Sequence, residues 1–123
     1  FPFKNSTFEG VFCTGTLHLF SKDKLTFIFS EINRILKPKG KIVFDFATDV
    51  NRVFPNGKKT LLKDRLDYSL IWGGNEVQEM LKSILAGYSL NFEESRFSDD
   101  LTKDPNYGFK TEGKFFLVVA NKK

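Results

Sequence analysis

Phe8-Glu9-Gly10-Val11-Phe12-Cys13-Thr14 and, further on, Lys37-Pro38-Lys39-Gly40-Lys41-Ile42-Val43-Phe44-Asp45-Phe46 decide the fold of this chain. The first run is near-continuously apolar, broken only by Glu9 and Gly10. Such a run marks a strand with both sheet faces covered by helices. Gly15, with a threonine on each side, turns the chain. Ser21 is a candidate N-cap, and Asp23 sits where a helix dipole favours negative charge. Leu25, Ile28, Phe29, Ile32, Ile35 and Leu36 then recur at helical spacing as one apolar stripe. Pro38 disfavours helix at Lys37, so the helix breaks at Lys37–Gly40 and a second buried strand follows over Lys41–Phe46. Strand, helix and strand in this order form a βαβ unit, whose strands lie parallel in one sheet. In such sheets small ligands sit beyond the carboxyl ends of the strands.

Residues 48–72 are less regular. Asn56-Gly57 is a turn signal, and Leu61–Ile71 mixes alternating and helical patterns, which leaves a hairpin or an extended excursion open. After Gly73-Gly74, Asn75 with Gln78 resembles a capping box. Val77, Met80, Leu81, Ile84 and Leu85 form a second helical stripe that Gly87 closes, so a helix is expected over Asn75–Ala86. Tyr88–Phe97 reads as a strand of alternating exposure, Ser98–Gly113 as a polar loop, and Phe115–Ala120 as a central final strand.

The 123 residues fit one domain with one core. Hydrophobic residues make up 41% and charged residues 28%, an ordinary balance for a soluble intracellular, cytoplasmic protein. No apolar run nears the roughly 20 residues that span a bilayer. A single cysteine, Cys13, excludes an internal disulfide framework and a cysteine-rich zinc site. The net charge of +4 is unevenly spread, with nine basic residues between Arg34 and Arg65. Such a stretch can attract a polyanion or serve as a solvated surface. No RNP motif, zinc-finger spacing or basic heptad accompanies it, so nucleic acid has no further support as a partner.

The wording of the chain resembles a known family. Phe8–Thr14 with Leu17-His18, then Leu36-Lys37-Pro38-Lys39-Gly40-Lys41-Ile42-Val43-Phe44, then Gly87-Tyr88-Ser89-Leu90 and Gly113–Ala120, resemble in order and spacing the second half of class I, type 11-like, S-adenosylmethionine-dependent methyltransferases. The resemblance implies a mostly parallel α/β Rossmann-like sheet. In that family the strand order is 3-2-1-4-5-7-6 with strand 7 antiparallel, so this chain is expected to show 4-5-7-6. It also implies S-adenosyl-L-methionine as cofactor and methyl transfer to an acceptor that the sequence does not name. The glycine-rich loop and acidic ribose ligand of the family's first two strands have no counterpart here. The resemblance thus implies a C-terminal part of the fold, whose cofactor affinity alone is weak or nil. Phe8–Thr14 would then be an apolar edge strand, a surface that pairs with missing N-terminal residues or with another copy. A non-catalytic module that keeps the fold for oligomerisation or partner binding is the alternative.

Thr14, Gly15, Thr16 and Leu17 end the strand at the family's topological switch point, and the resemblance implies that they wall the cofactor site. The same residues can equally be a plain turn that uses the dihedral freedom of Gly15. His18, the only histidine, is a candidate base for the acceptor or a residue that packs under the loop. Asp45, with Asp49 beyond it, lies where the loops of parallel sheets carry chemistry, or is a solvated strand-end carboxylate. Tyr68 and Trp72 can line a pocket or fill the core, and Cys13 reads as inert. Methyl transfer needs no triad, because proximity and orientation supply much of the acceleration.

Overall fold

The computed structural model describes residues 1–61, 73–104 and 107–123. Strand β1 (Phe8–Cys13) leads through a 3-10 turn (Leu17–Leu19) into helix α1 (Lys22–Ile35). Strands β2 (Leu36–Val53) and β3 (Lys59–Leu61), helix α2 (Gly74–Ile84), and strands β4 (Tyr88–Asp100) and β5 (Lys110–Lys122) follow. The sheet order is β1-β2-β5-β4, with β3 paired to β2. β1 is parallel to β2, with Val11 beside Ile42 and Cys13 beside Phe44. β5 is antiparallel to both β2 and β4. This α/β arrangement reproduces the expected order and the single antiparallel central strand.

Ser21 caps α1, accepting a hydrogen bond from the Lys24 amide at 3.4 Å, and Asp23 lies in the first turn. The stripe falls inward: Leu25, Phe29, Ile32 and Ile35 are buried, and the Phe29 ring lies 5.3 Å from that of Phe44. The helix stops at Ile35, and Leu36 is already extended and fully buried. Lys39, not Gly40, takes the left-handed conformation, at φ 66°. Gly40 is required for space, since a Cβ there would stand 2.5 Å from Leu36 Cγ and 2.8 Å from the Lys37 carbonyl oxygen. On α1 the Arg34 guanidinium donates to the Phe3 carbonyl at 2.7 Å and to Asn5 Oδ1 at 3.0 Å, which ties the first residues to the helix.

Several boundaries differ from the sequence reading. β2 runs on to Val53 through an irregularity between Thr48 and Asn51 in its pairing with β5. It then turns back on itself, with Asn51 opposite Leu61, so a hairpin forms after it; the rest of the 48–72 reading, including Tyr68 and Trp72, lies outside the described residues. α2 starts at Gly74 with Gly73 at the N-cap, not at Asn75, and ends at Ile84 with Leu85 at the C-cap and without a left-handed Gly87. The two ends of the expected loop Ser98–Gly113 are ladder, Ser98–Asp100 in β4 and Lys110–Gly113 in β5, with Ser98 opposite Glu112 and Asp100 opposite Lys110. The backbone pairs regardless of side-chain polarity, and Asp100 beside Lys110 is a favourable cross-strand charge pair.

One apolar cluster joins α1 and α2 to one face of the sheet through Phe44, Phe46, Phe116, Val118 and Ala120. The expectation that helices cover both faces of β1 is therefore corrected: the described helices cover one. Val11 and Cys13 pack against the cluster, whereas Phe12, between them, faces away and is 72% exposed. No helix among the described residues is long and apolar enough to cross a membrane.

Candidate functional site

The parallel pairing of β1 with β2 ends at Cys13 beside Phe44, and Thr14–Leu17 and Asp45 lie just beyond it. Gly15 turns the chain at φ 65°, a conformation that suits glycine, with no atom within 4 Å of where a Cβ would stand. Its amide donates a 2.7 Å hydrogen bond to Asp45 Oδ1 on β2. Thr16 Oγ1 donates to the Thr14 carbonyl at 2.9 Å, and the Thr16 carbonyl accepts from the Leu19 amide at 3.0 Å. Leu17 is buried, anchoring the turn in the core. All four residues predicted to wall the site thus share one structured turn, and Asp45 holds it.

His18 follows in the 3-10 turn, its ring edge-on to Phe46 at 6.1 Å. Burial lowers its pKa from the usual 6.5, and the Asp45 charge opposes that shift. The Cys13 thiol is half-buried; burial raises its pKa, a Thr16 hydrogen bond lowers it, and Asp45 raises it again. A thiol held in its protonated form is a poor nucleophile, in keeping with the inert reading. Asp45 is therefore the electrostatic centre of the cluster, acting on Cys13 and His18 at once.

Asp49 does something the sequence did not disclose. At φ 53°, beside the irregularity in β2, it accepts a hydrogen bond from the Gly74 amide at 3.2 Å and one from the buried Thr48 hydroxyl at 3.2 Å. Gly73 has no side chain to cap α2, so a carboxylate from the sheet serves as the cap. A polar cleft of about 340 Å³ opens there, lined by Asp49, Asn75, Glu94 and Lys114 among others. The Gly73-Gly74 pair leaves the helix end open to a distant carboxylate, with Asp49 Oδ1 3.6 Å from where a Cβ of residue 73 would stand. Among the described residues no group of three or more His, Cys, Asp or Glu is placed to hold a metal ion.

Residues 1–44 match the family model described as a methyltransferase domain. That segment spans β1, the Thr14–Leu17 turn, α1 and the first part of β2. Solved structures extend the likeness to the whole chain. The YcgJ protein of Bacillus subtilis superposes with a TM-score of 0.68 at 14% identity, covering 100% of this chain and 67% of its own. A candidate methyltransferase from Bacillus halodurans gives 0.61 at 18% identity, covering 99% and 67%.

The fold is a methyltransferase fold.

A third methyltransferase-fold structure is the Burkholderia thailandensis 1,6-didemethyltoxoflavin-N1-methyltransferase, with 1,6-didemethyltoxoflavin and S-adenosylhomocysteine bound. It superposes at a TM-score of 0.56 and 14% identity, covering 98% of this chain and 47% of its own. This chain thus spans about half to two thirds of the length of these methyltransferase-fold structures. Comparison with curated proteins gave no match.

Proposed function

We propose that this chain is part of an S-adenosylmethionine-dependent methyltransferase in which Thr14, Gly15, Thr16 and Leu17 wall the cofactor site. One observation carries the reading: the segment that matches the methyltransferase-domain model is also the one that builds an ordered turn beyond two parallel strands. Ligands of open α/β sheets bind at that position. The S-adenosylhomocysteine bound to the Burkholderia relative supports the same cofactor class.

The residues present suit part of such a ligand. Gly15 leaves its outer side open, and Thr16 and Leu17 reach a groove whose lining is largely apolar. S-adenosylmethionine supplies a methyl group already activated on a sulfonium. What remains for the protein is to hold and orient. Asp45 fixes the turn through the Gly15 amide. His18, its pKa lowered by burial, is largely neutral at pH 7 and suited to accept a proton from the acceptor.

Calorimetric titration of the protein expressed from its full coding sequence, with S-adenosylmethionine and with S-adenosylhomocysteine, tests this. Saturable binding that Gly15→Val weakens at least about tenfold is expected, since a β-branched residue resists that turn. A folded protein that takes up neither ligand overturns the reading.

A further inference from the structure

Past the start of α2 the sheet carries on as a polar platform. α2 begins over Phe116 of β5, and the same face of the sheet continues through Lys114 and Glu112 on β5, Asn51 on β2, and Arg96 and Ser98 on β4. The register sets Thr48, Lys114 and Arg96 in one row across the three strands, and Asn51, Glu112 and Ser98 in the next. A cavity of about 420 Å³ lies over these residues, and it shares Asp49 and Lys114 with the cleft at the helix start. Lys114 is half-buried and Arg96 is exposed.

Arg96 and Lys114 are directly opposite each other on β4 and β5. Like charges in that position destabilise an antiparallel pair. Glu94 and Glu112 stand diagonally across the ladder, yet among the described residues neither cation's side chain has an ion pair or a hydrogen bond. Asp49 is engaged elsewhere, accepting from the Gly74 amide and the Thr48 hydroxyl. Two cations thus face one cavity with their donors unspent, beside the Ser98 hydroxyl. A guanidinium fork matches an oxyanion bidentately, and an ammonium adds a point charge. One oxyanion between them replaces the repulsion with charge-assisted hydrogen bonds. The carboxylates around the cavity narrow the choice. Asp49, Glu94 and Glu112 repel a polyanion such as nucleic acid, so the ligand that fits is a small molecule with one localised acid group.

We propose that Arg96 and Lys114 bind the carboxylate or phosphate of a small molecule, and that this molecule is the methyl acceptor. Asp45, which holds the Thr14–Leu17 turn, and Asp49, which lines the cavity, are four residues apart on β2, a span of at most about 14 Å. An acceptor of that length, anchored by its acid group, extends towards the turn. Transfer forms a bond from the acceptor's nucleophilic atom to the methyl carbon and breaks the carbon–sulfur bond, whose electron pair stays on sulfur. Any proton lost from the nucleophile passes to His18 or to water. Oxyanion binding rests on the cation pair alone, and the ligand's role as acceptor rests on the methyl-transfer reading.

The first test is NMR titration of the protein expressed from its full coding sequence, with inorganic phosphate and with acetate at constant ionic strength. Saturable shifts are expected at Arg96, Lys114 and their ladder neighbours, weakened about tenfold or more by Arg96→Gln and by Lys114→Gln and largely kept by Lys114→Arg. Without added anion, Lys114→Gln should melt at the same temperature as the wild type or higher, because a like-charge pair is removed. Shifts that miss these residues, or that both glutamine variants leave unchanged, overturn the proposal. The second test supplies methyl-labelled S-adenosylmethionine with the acidic and the neutral fractions of a small-molecule extract of the source cells. Label should enter acid-bearing molecules, and Lys114→Gln should raise KM about tenfold at little cost to kcat. Label in neutral molecules alone overturns the acceptor assignment. Phosphate binding by a protein that takes up no S-adenosylmethionine overturns the methyl-transfer reading and the acceptor role with it, and supports the oxyanion site.

Discussion

The Asp45 carboxylate on β2 accepts a 2.7 Å hydrogen bond from the Gly15 amide, which locks the turn after β1 onto its parallel neighbour. A charged acceptor on a left-handed glycine holds a loop that would otherwise be free to rotate. The same carboxylate raises the pKa of His18 against the effect of burial.

Asp45→Ala should therefore loosen the turn and cost about 1 kcal/mol, the lower range for a charge-assisted bond at a partly exposed site. Asp45→Asn keeps an acceptor oxygen and should cost less. Urea midpoints give the stability difference. NMR titration of the single histidine should show its pKa lower still in Asp45→Asn, because the charge that raises it is gone.

The pH dependence follows from His18. Its folded pKa is depressed below 6.5, so between the two values the unfolded chain binds more proton than the folded one. Stability should rise with pH through this window and fall as the pH drops below about 6.5. Thermal midpoints at pH 7.5 and 5.5 for the wild type and His18→Gln check the sign. The variant should lose this part of the difference.

Asp49→Ala removes the cap that Gly73 cannot supply and should cost about 1 kcal/mol, with α2 fraying first. Asp49→Asn should be the mildest change, since asparagine accepts a hydrogen bond and tolerates positive φ. Faster exchange at residues 75–78 in the alanine variant is the local signature.

Gly40→Ala and Gly15→Ala should both destabilise, for different reasons. At position 40 the new methyl meets Leu36 Cγ at 2.5 Å and a backbone oxygen at 2.8 Å, an overpacking cost of about 1–3 kcal/mol. At position 15 the space is open and the cost is conformational, about 1 kcal/mol, because alanine resists φ 65°. Chemical denaturation of the two variants, with and without removal of the Leu36 γ-carbon by Leu36→Ala, separates the causes. The second substitution should reduce the Gly40→Ala penalty and leave that of Gly15→Ala unchanged.

Local chemistry by itself determined the βαβ unit. Ser21 caps because its hydroxyl reaches the Lys24 amide, Leu25 to Ile35 face inward because of their spacing, and Pro38 forbids further helix. These causes act within a few residues, so they are legible along the chain. The Thr14–Leu17 turn was legible for the same reason.

Tertiary structure decided what depends on partners far apart in sequence. Asp45 reaches Gly15 across 30 positions and Asp49 reaches Gly74 across 25, and no local pattern announces either bond. The long β4–β5 ladder overrode the polar composition of residues 98–100 and 110–113, because backbone groups pair whatever side chains they carry. The uncovered face of Phe12 was likewise beyond the sequence. Its apolar strand pattern called for cover on both sides, and only the packed sheet shows which side the described helices leave open.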